Sequence, residues 1–314
     1  MRPITVRLCN WIGDVVMAIP AIDLLEQHGY QVHLYGKGWA RTLLSGHGWQ
    51  FTKRSETGLG DRIKELKAIR LQGRKVDARM DQRINALSFP NSFSSALELK
   101  LSGHKACGYT KDGRSLLLND RLPRLKGVHV LETFWHLACH LTGEHRAPPD
   151  HIGFKIHPQA ADKAEALLAQ HGLQARAFAC VVPFATGMMY QFDKKWPHFQ
   201  ELVRELSKSL PLIICPGPGE EAEADGFKDH ATILPGVPLD VYAALMQRAC
   251  VTLANDTGPG HLAAAVGSPV ISILGPTDPA HWAPWGPNVT VVREWPQWPS
   301  AATVCTTALN LVQR

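Results

Sequence analysis

Apolar residues fall into short continuous runs separated by stretches where they recur every three or four positions. That alternation is expected of buried parallel strands joined by helices. Residues 3–9 (PITVRLC) form the first run, and the glycine turn WIGD follows. Over 15–29 the apolar positions return at helical spacing, with Gly29 a suitable stop, and 30–36 (YQVHLYG) reads as a second strand. An amphipathic, basic helix is expected over 60–71, with further helices over 92–103 and 132–142. Residues 144–158, rich in proline and histidine, read as a linker. The alternation then restarts. Helices over 161–172, 196–210, 239–249 and 257–267 are interleaved with strands over 177–185, 211–218, 250–256 and 268–276, and a last helix covers 300–314. Strand, glycine turn, helix, strand is the unit of a doubly wound parallel sheet. The expected fold is α/β, with two doubly wound Rossmann-like domains facing each other across a cleft. The N-terminal domain is placed at 1–150, the C-terminal domain at 159–298 and a C-terminal helix at 299–314. Ligands of such folds bind at the carboxyl ends of the strands, near helix N-termini.

Composition narrows this little. A chain of 314 residues suits about two domains, and 45% hydrophobic with 19% charged residues excludes a disordered chain. The formal charge of +5 suits a phosphorylated ligand or an anionic membrane surface, but many soluble enzymes share it. Seven scattered cysteines with no C-x-x-C pair support neither a disulfide framework nor a zinc site, and a reducing cytoplasm is the expected compartment. The first residues hold no signal-like apolar stretch, and no window reaches the roughly 18 apolar residues of a membrane span. Membrane contact is therefore expected to be peripheral.

The most informative segment is 255–279, NDTGPGHLAAAVGSPVISILGPTDP. Gly258 and Gly260 remove side chains where a ligand would approach backbone. The helix starting near Pro259 offers free amides and a positive dipole end, a seat for an anion. Thr257 adds a hydroxyl, Asp256 is placed to accept loop amides, and His261 lies in the first turn. A capped helix with no ligand fits the same residues, because generic glycine patterns are weak signals. Asp14, in IGDVV, reads equally as a helix N-cap. Lys194 and Lys195 read as a solvated helix entrance, with Pro197 just inside the helix. Glu220 and Glu221, after the glycine turn 216–219, suit either ribose hydroxyls or a helix N-terminus. Arg62, Lys64 and Lys67 on the basic helix read first as a solvated face, and Asn91 and Ser92 begin a helix at a strand end.

The block D-T-G-x-x-H-L-x-A-A, present as Asp256, Thr257, Gly258, His261, Leu262, Ala264 and Ala265, continues with Gly267, Pro269 and Gly275-Pro276-Thr277. With GDVVMAIPAI (13–22), FPNSFSSAL (89–97) and KKWPHFQEL (194–202), it resembles glycosyltransferase family 9, the ADP-heptose:lipopolysaccharide heptosyltransferases. The likeness spans nearly the whole chain, and the NSF-x-SAL and K-x-W-P segments lean toward the heptosyltransferase II type.

The resemblance implies a GT-B fold and inverting transfer of L-glycero-D-manno-heptose from ADP-heptose to the lipopolysaccharide inner core. It implies Asp14 as general base and Lys194 at the donor phosphates. Donor binding falls to Thr186, Gly187, Lys194, Glu220, Asp256, Thr257, Gly258, Pro259 and His261. Acceptor binding falls to Arg62, Lys64, Lys67, Asn91 and Ser92, because the Kdo/heptose–lipid A acceptor is anionic. The segment GMMYQFD (187–193) departs from the family's glycine- and alanine-rich pattern, and the G-Y-x-x-D-G-R residues Gly108, Tyr109, Asp112, Gly113 and Arg114 have no assigned role. No D-x-D occurs and the histidines are read as holding no H-x-x-x-H or similar ligand set, so no metal or cofactor is expected; nor is nucleic acid. A cytoplasmic enzyme touching the inner membrane peripherally is the implied setting. Another donor sugar, a protein acceptor, a nucleotide-sugar epimerase or a non-catalytic binding protein remain the competing readings. A nicotinamide dehydrogenase is disfavoured because NWIGDVV lacks G-x-G-x-x-G.

Overall fold

The computed structural model describes residues 1–111, 113–185 and 187–313. The chain separates into two compact units, Met1–Pro149 and Asp150–Arg314. The boundary falls inside the proline- and histidine-rich stretch 144–158.

The first unit is built on β1 (Arg2–Arg7), β2 (Tyr30–Gly36), β3 (Gln50–Lys53), β4 (Ala86–Ser88), β5 (Ala106–Tyr109) and β6 (Asp120–Leu122). All pair in parallel, in the order β3-β2-β1-β4-β5-β6. The second unit carries β7 (Ala179–Val182), β8 (Met188–Met189), β9 (Phe192–Asp193), β10 (Leu212–Ile214), β11 (Thr232–Ile233), β12 (Val251–Asn255), β13 (Val270–Ile273) and β14 (Val289–Val292). Its main sheet is parallel in the order β11-β10-β7-β12-β13-β14, the same winding as the first. Continuous burial makes these strands legible: β12 and β13 are buried at every position, as strands covered on both faces must be. In each sheet the order reverses beside the first strand, between β1 and β4 and between β7 and β12. Loops leaving such a switch point diverge and open a crevice at the carboxyl ends.

Three local outcomes differ from expectation. The helix expected over 15–29 is two, Ile12–Met17 and Ile19–Gln27, meeting at Ala18. Pro20 has no N–H to give and its ring opposes the carbonyl four residues back, so one continuous ladder is broken there. The segment 187–193 is no open loop. Met188–Met189 and Phe192–Asp193 pair as a small antiparallel hairpin, with Tyr190 and Gln191 at positive φ in the turn. The C-terminal helix Ala301–Val312 is no appendage either. Ala301, Val304 and Ala308 are buried in one core with Phe199, Leu202 and Val203 of the Phe199–Leu206 helix.

Candidate functional site

Two strands flank the switch point of the second sheet, and the residues after each one converge. Strand β12 ends at Asn255, fully buried, whose side-chain amide donates to the Pro183 carbonyl beyond β7 (2.6 Å). Its Oδ1 accepts from the Trp196 amide at 2.9 Å. The Trp196 ring is buried and its Nε1 donates to the Pro299 carbonyl at 2.9 Å. One asparagine thus fastens the segment after β9 to the end of β12 and sets where Lys194 stands. Lys194 Nζ lies 2.9 Å from Asp256 Oδ2, with side chains 19% and 6% exposed. The Thr277 hydroxyl, on the loop after β13, donates to the same carboxylate oxygen. The described partners of Asp256 are thus an ammonium and a hydroxyl, in place of the loop amides expected from the sequence. Three family-motif segments that are remote in the chain meet on this one oxygen.

Immediately after Asp256 the Gly258–Ala265 helix begins. Thr257 is its N-cap residue in extended conformation with no side-chain cap bond, and Pro259 stands in the first turn. The helix therefore presents its positive end with the Thr257 hydroxyl uncommitted to capping, beside the pair of half-buried Lys194 and buried Asp256. Gly258, Thr257 and Pro259 are half-buried, while Gly260 and His261 are buried. A Cβ at Gly260 would come within 3.2 Å of the Ala254 Cβ and 3.3 Å of the Asn255 carbonyl, so helix and strand pack too closely for a larger residue.

Other donor-side residues fall differently. Thr186 lies outside the described residues. Gly187 has φ +94°, a backbone state that glycine adopts without strain, where the hairpin begins. Pro197 stands before the helix, not inside it, because the helix starts at Phe199 with His198 as N-cap residue. Glu220 accepts from the Gly217 amide and Glu221 from the Gly219 amide, each at 2.7 Å. Both carboxylates therefore brace their own glycine turn, and Lys195 pairs with Glu223 nearby.

In the first unit, Asp14 lies in the first turn of the Ile12–Met17 helix, half-buried, just after β1 at its switch point. It is not the N-cap, a place held by Trp11 in extended conformation. A carboxylate in a first turn sits favourably in the helix field. Arg62 is not a free surface cation. Its Nη1 is 2.7 Å from Glu98 Oε1, to which Arg54 Nη2 also bonds at 3.3 Å, while Arg7 Nε is 3.7 Å from Oε2. The Glu98 side chain is fully buried. Three guanidiniums around one carboxylate leave a local positive excess at the carboxyl edge of β1–β3. Burial holds the Arg7 pKa below its ordinary value, opposed by Glu98. Arg7 and Arg54 were missed in the sequence, where each is an isolated arginine at a strand end. Lys64 is 81% exposed and pairs with Asp61 at 3.5 Å; Lys67 is exposed.

The Pro90–Ser92 turn is held by Arg114 of the G-Y-x-x-D-G-R segment. Its buried guanidinium donates to the Pro90 carbonyl, to the Ser92 carbonyl at 3.3 Å and to Ser88 Oγ at 3.2 Å. Burial lowers its pKa to about 10. A Cβ at Gly108 would lie 2.8 Å from that guanidinium, which accounts for the glycine. Asp112 lies outside the described residues. Ser92 is committed as N-cap of the Phe93–Leu101 helix, accepting from the Ser95 amide at 3.3 Å. Asn91 Oδ1 is buried without a partner among the described residues, so it is the better placed of the two to meet a ligand.

The chain matches a family model described as glycosyltransferase family 9 (heptosyltransferase) over residues 77–312. It is 37% identical to lipopolysaccharide heptosyltransferase 1 of Escherichia coli (strain K12) over 109 residues, which is 32% of this chain and 34% of that protein. It is 25% identical to lipopolysaccharide heptosyltransferase 2 of Salmonella typhimurium over 303 residues, covering 90% of this chain and 86% of that one. Among solved structures, E. coli ADP-heptose lps heptosyltransferase II superposes with TM-score 0.81 at 20% identity, over 99% of this chain and 98% of that one.

Proposed function

The chain belongs to glycosyltransferase family 9, and from that premise we propose that it transfers L-glycero-D-manno-heptose from ADP-heptose to the lipopolysaccharide inner core with inversion. The observation that carries the proposal is the meeting of Lys194, Asp256 and Thr277 at the start of the Gly258–Ala265 helix. A leaving nucleoside diphosphate needs fixed positive charge where its own negative charge grows. Helix amides and the Lys194 ammonium supply it, and Asp256 holds that ammonium in place. Thr257, Gly258, Pro259 and His261 line the same helix start, Gly187 turns the chain toward Lys194, and Glu220 offers its second oxygen to the ribose.

Asp14 is assigned the acceptor side. Its carboxylate takes the proton of the acceptor hydroxyl as that oxygen bonds to the anomeric carbon, and the bond from that carbon to the diphosphate breaks. The products are the glycosidic bond, ADP and a protonated Asp14. No metal is required in this scheme, because cationic side chain and helix end do the electrostatic work. Incubation with ADP-heptose and truncated core acceptors, read by mass spectrometry, tests it. The acceptor should gain one heptose, and consumption of ADP-heptose without acceptor, or preference for a UDP-sugar, would point to a different enzyme.

The acceptor is assigned to the first unit, through Arg62, Lys64, Lys67 and Asn91, with Arg7 and Arg54 adding to the positive field. Charge-assisted bonds are worth about 1.5–3 kcal/mol each. Replacing Arg62 and Lys64 together by glutamine should therefore raise acceptor KM about tenfold or more, with the ADP-heptose KM little changed. An unaltered acceptor KM would remove the patch from the site.

A cytoplasmic location with peripheral membrane contact belongs to the same proposal. The acceptor is lipid-anchored, no described helix is long and apolar enough to cross a membrane, and Trp11 is 71% exposed beside Asp14 in sequence. Cosedimentation with anionic vesicles should weaken in Trp11→Ser, and absence of vesicle binding by the unaltered protein would sink the membrane contact.

A further inference from the structure

The far edge of the first sheet carries a second constellation that transfer does not use. Strands β5 and β6 pair so that Cys107 stands directly opposite Asp120. The helix Val130–Thr142 lies over that face. Tyr109, two residues beyond Cys107 and so on the same face, donates its hydroxyl to the Thr133 carbonyl at 2.9 Å and lies 2.8 Å from His136 Nδ1. One helical turn further on, His140 Nε2 is 2.8 Å from Asp120 Oδ2. His136 and His140 thus form an H-x-x-x-H pair, which corrects the expectation that the histidines hold no such spacing. A sulfur of Cys107, a carboxylate oxygen of Asp120 and a ring nitrogen of His140 all lie within 4.8 Å of one another.

We propose that Cys107, Asp120 and His140 bind a divalent transition-metal ion of the zinc class. Thiolate, imidazole and carboxylate form the donor set that such an ion selects, while the sulfur disfavours magnesium and calcium. Bond lengths of about 2.0–2.3 Å put ligand atoms about 3–4 Å apart around a tetrahedral ion, so small side-chain rotations convert this cluster into a site. The burial is graded suitably: Cys107 is buried, whereas the Asp120 and His140 side chains are 31% and 40% exposed. An ion can enter from solvent and keep water as its fourth ligand. Three ligands come from two adjacent strands and one helix, and β6 is the edge strand of its sheet. The ion therefore braces the sheet edge to the helix, and its binding displaces the thiol proton and takes the place of the hydrogen bond between His140 and Asp120.

The test uses the full chain stripped with a chelator, then titrated with Co²⁺ alone and with Zn²⁺ alone. One equivalent should bind, Co²⁺ should give a thiolate-to-metal charge-transfer band, and Zn²⁺ should raise Tm. Cys107→Ser should abolish the band. If that buried substitution prevents folding, His140→Ala at an exposed position and Asp120→Asn at a half-buried one carry the test, each weakening binding at least tenfold and removing the Zn²⁺-dependent rise in Tm. A band that survives loss of His140, or a Tm indifferent to Zn²⁺, leaves the cluster as an ordinary ion pair over a buried thiol and overturns the site.

Discussion

Asp14→Asn should lower kcat by about 10²–10⁴-fold, the usual contribution of general-base assistance, with both KM values close to those of the unaltered enzyme. The substitution keeps shape and hydrogen-bonding capacity and removes only basicity. Asp14 is half-buried in the first turn of a six-residue helix and is not its N-cap, so the exchange removes no helix cap. Loss of a negative charge at a helix N-terminus costs about 0.3–1 kcal/mol, a small change in Tm. Steady-state kinetics beside a melting curve separate the two effects. A near-unchanged kcat would return Asp14 to a structural role and leave the acceptor hydroxyl without a base.

Lys194→Met should reduce kcat by about 10²–10³-fold, equivalent to about 2.7–4 kcal/mol of lost charge stabilisation on the departing diphosphate. It should also destabilise the second unit. Asp256, with its side chain 6% exposed, would keep only the Thr277 hydroxyl, and breaking a buried ion pair costs about 3–5 kcal/mol before allowing for the partial exposure of the lysine. The two consequences are separable. Lys194→Met combined with Asp256→Asn removes both charges and leaves an acceptor for Thr277, so denaturant stability should largely return while kcat stays low. Recovery of kcat in the double variant would show that Lys194 acts on Asp256 alone and not on the donor.

Much of the fold was legible because its causes are local. Strands buried on both faces must be largely apolar, and β12 and β13, buried at every position, carry only Thr252, Asn255 and Ser272 as polar residues; helices between them must repeat apolar residues every three or four. The break at Ala18 was equally local, with its cause written in Pro20. The hairpin 188–193 was harder to read, because its turn residues, Tyr190 and Gln191, take positive φ without the glycine or asparagine that usually signals it.

The candidate site divides along the same line. Family motifs in the chain were enough to single out Asp14, Lys194 and the 256–261 turn, since each motif is contiguous. What each charge faces was decided elsewhere. Asp256 meets Lys194 and Thr277 because β12 lies between β7 and β13. Arg62 meets Glu98, with Arg7 and Arg54, because β1, β2 and β3 end at one edge. Cys107 faces Asp120 and His140 through strand register and one helix turn. The chain by itself determined which segments become strand, helix and glycine turn, because propensity and burial act over a few residues. Only the tertiary structure decided the partners of its charges, because electrostatic pairing depends on sheet order and register, which bring together residues dozens of positions apart.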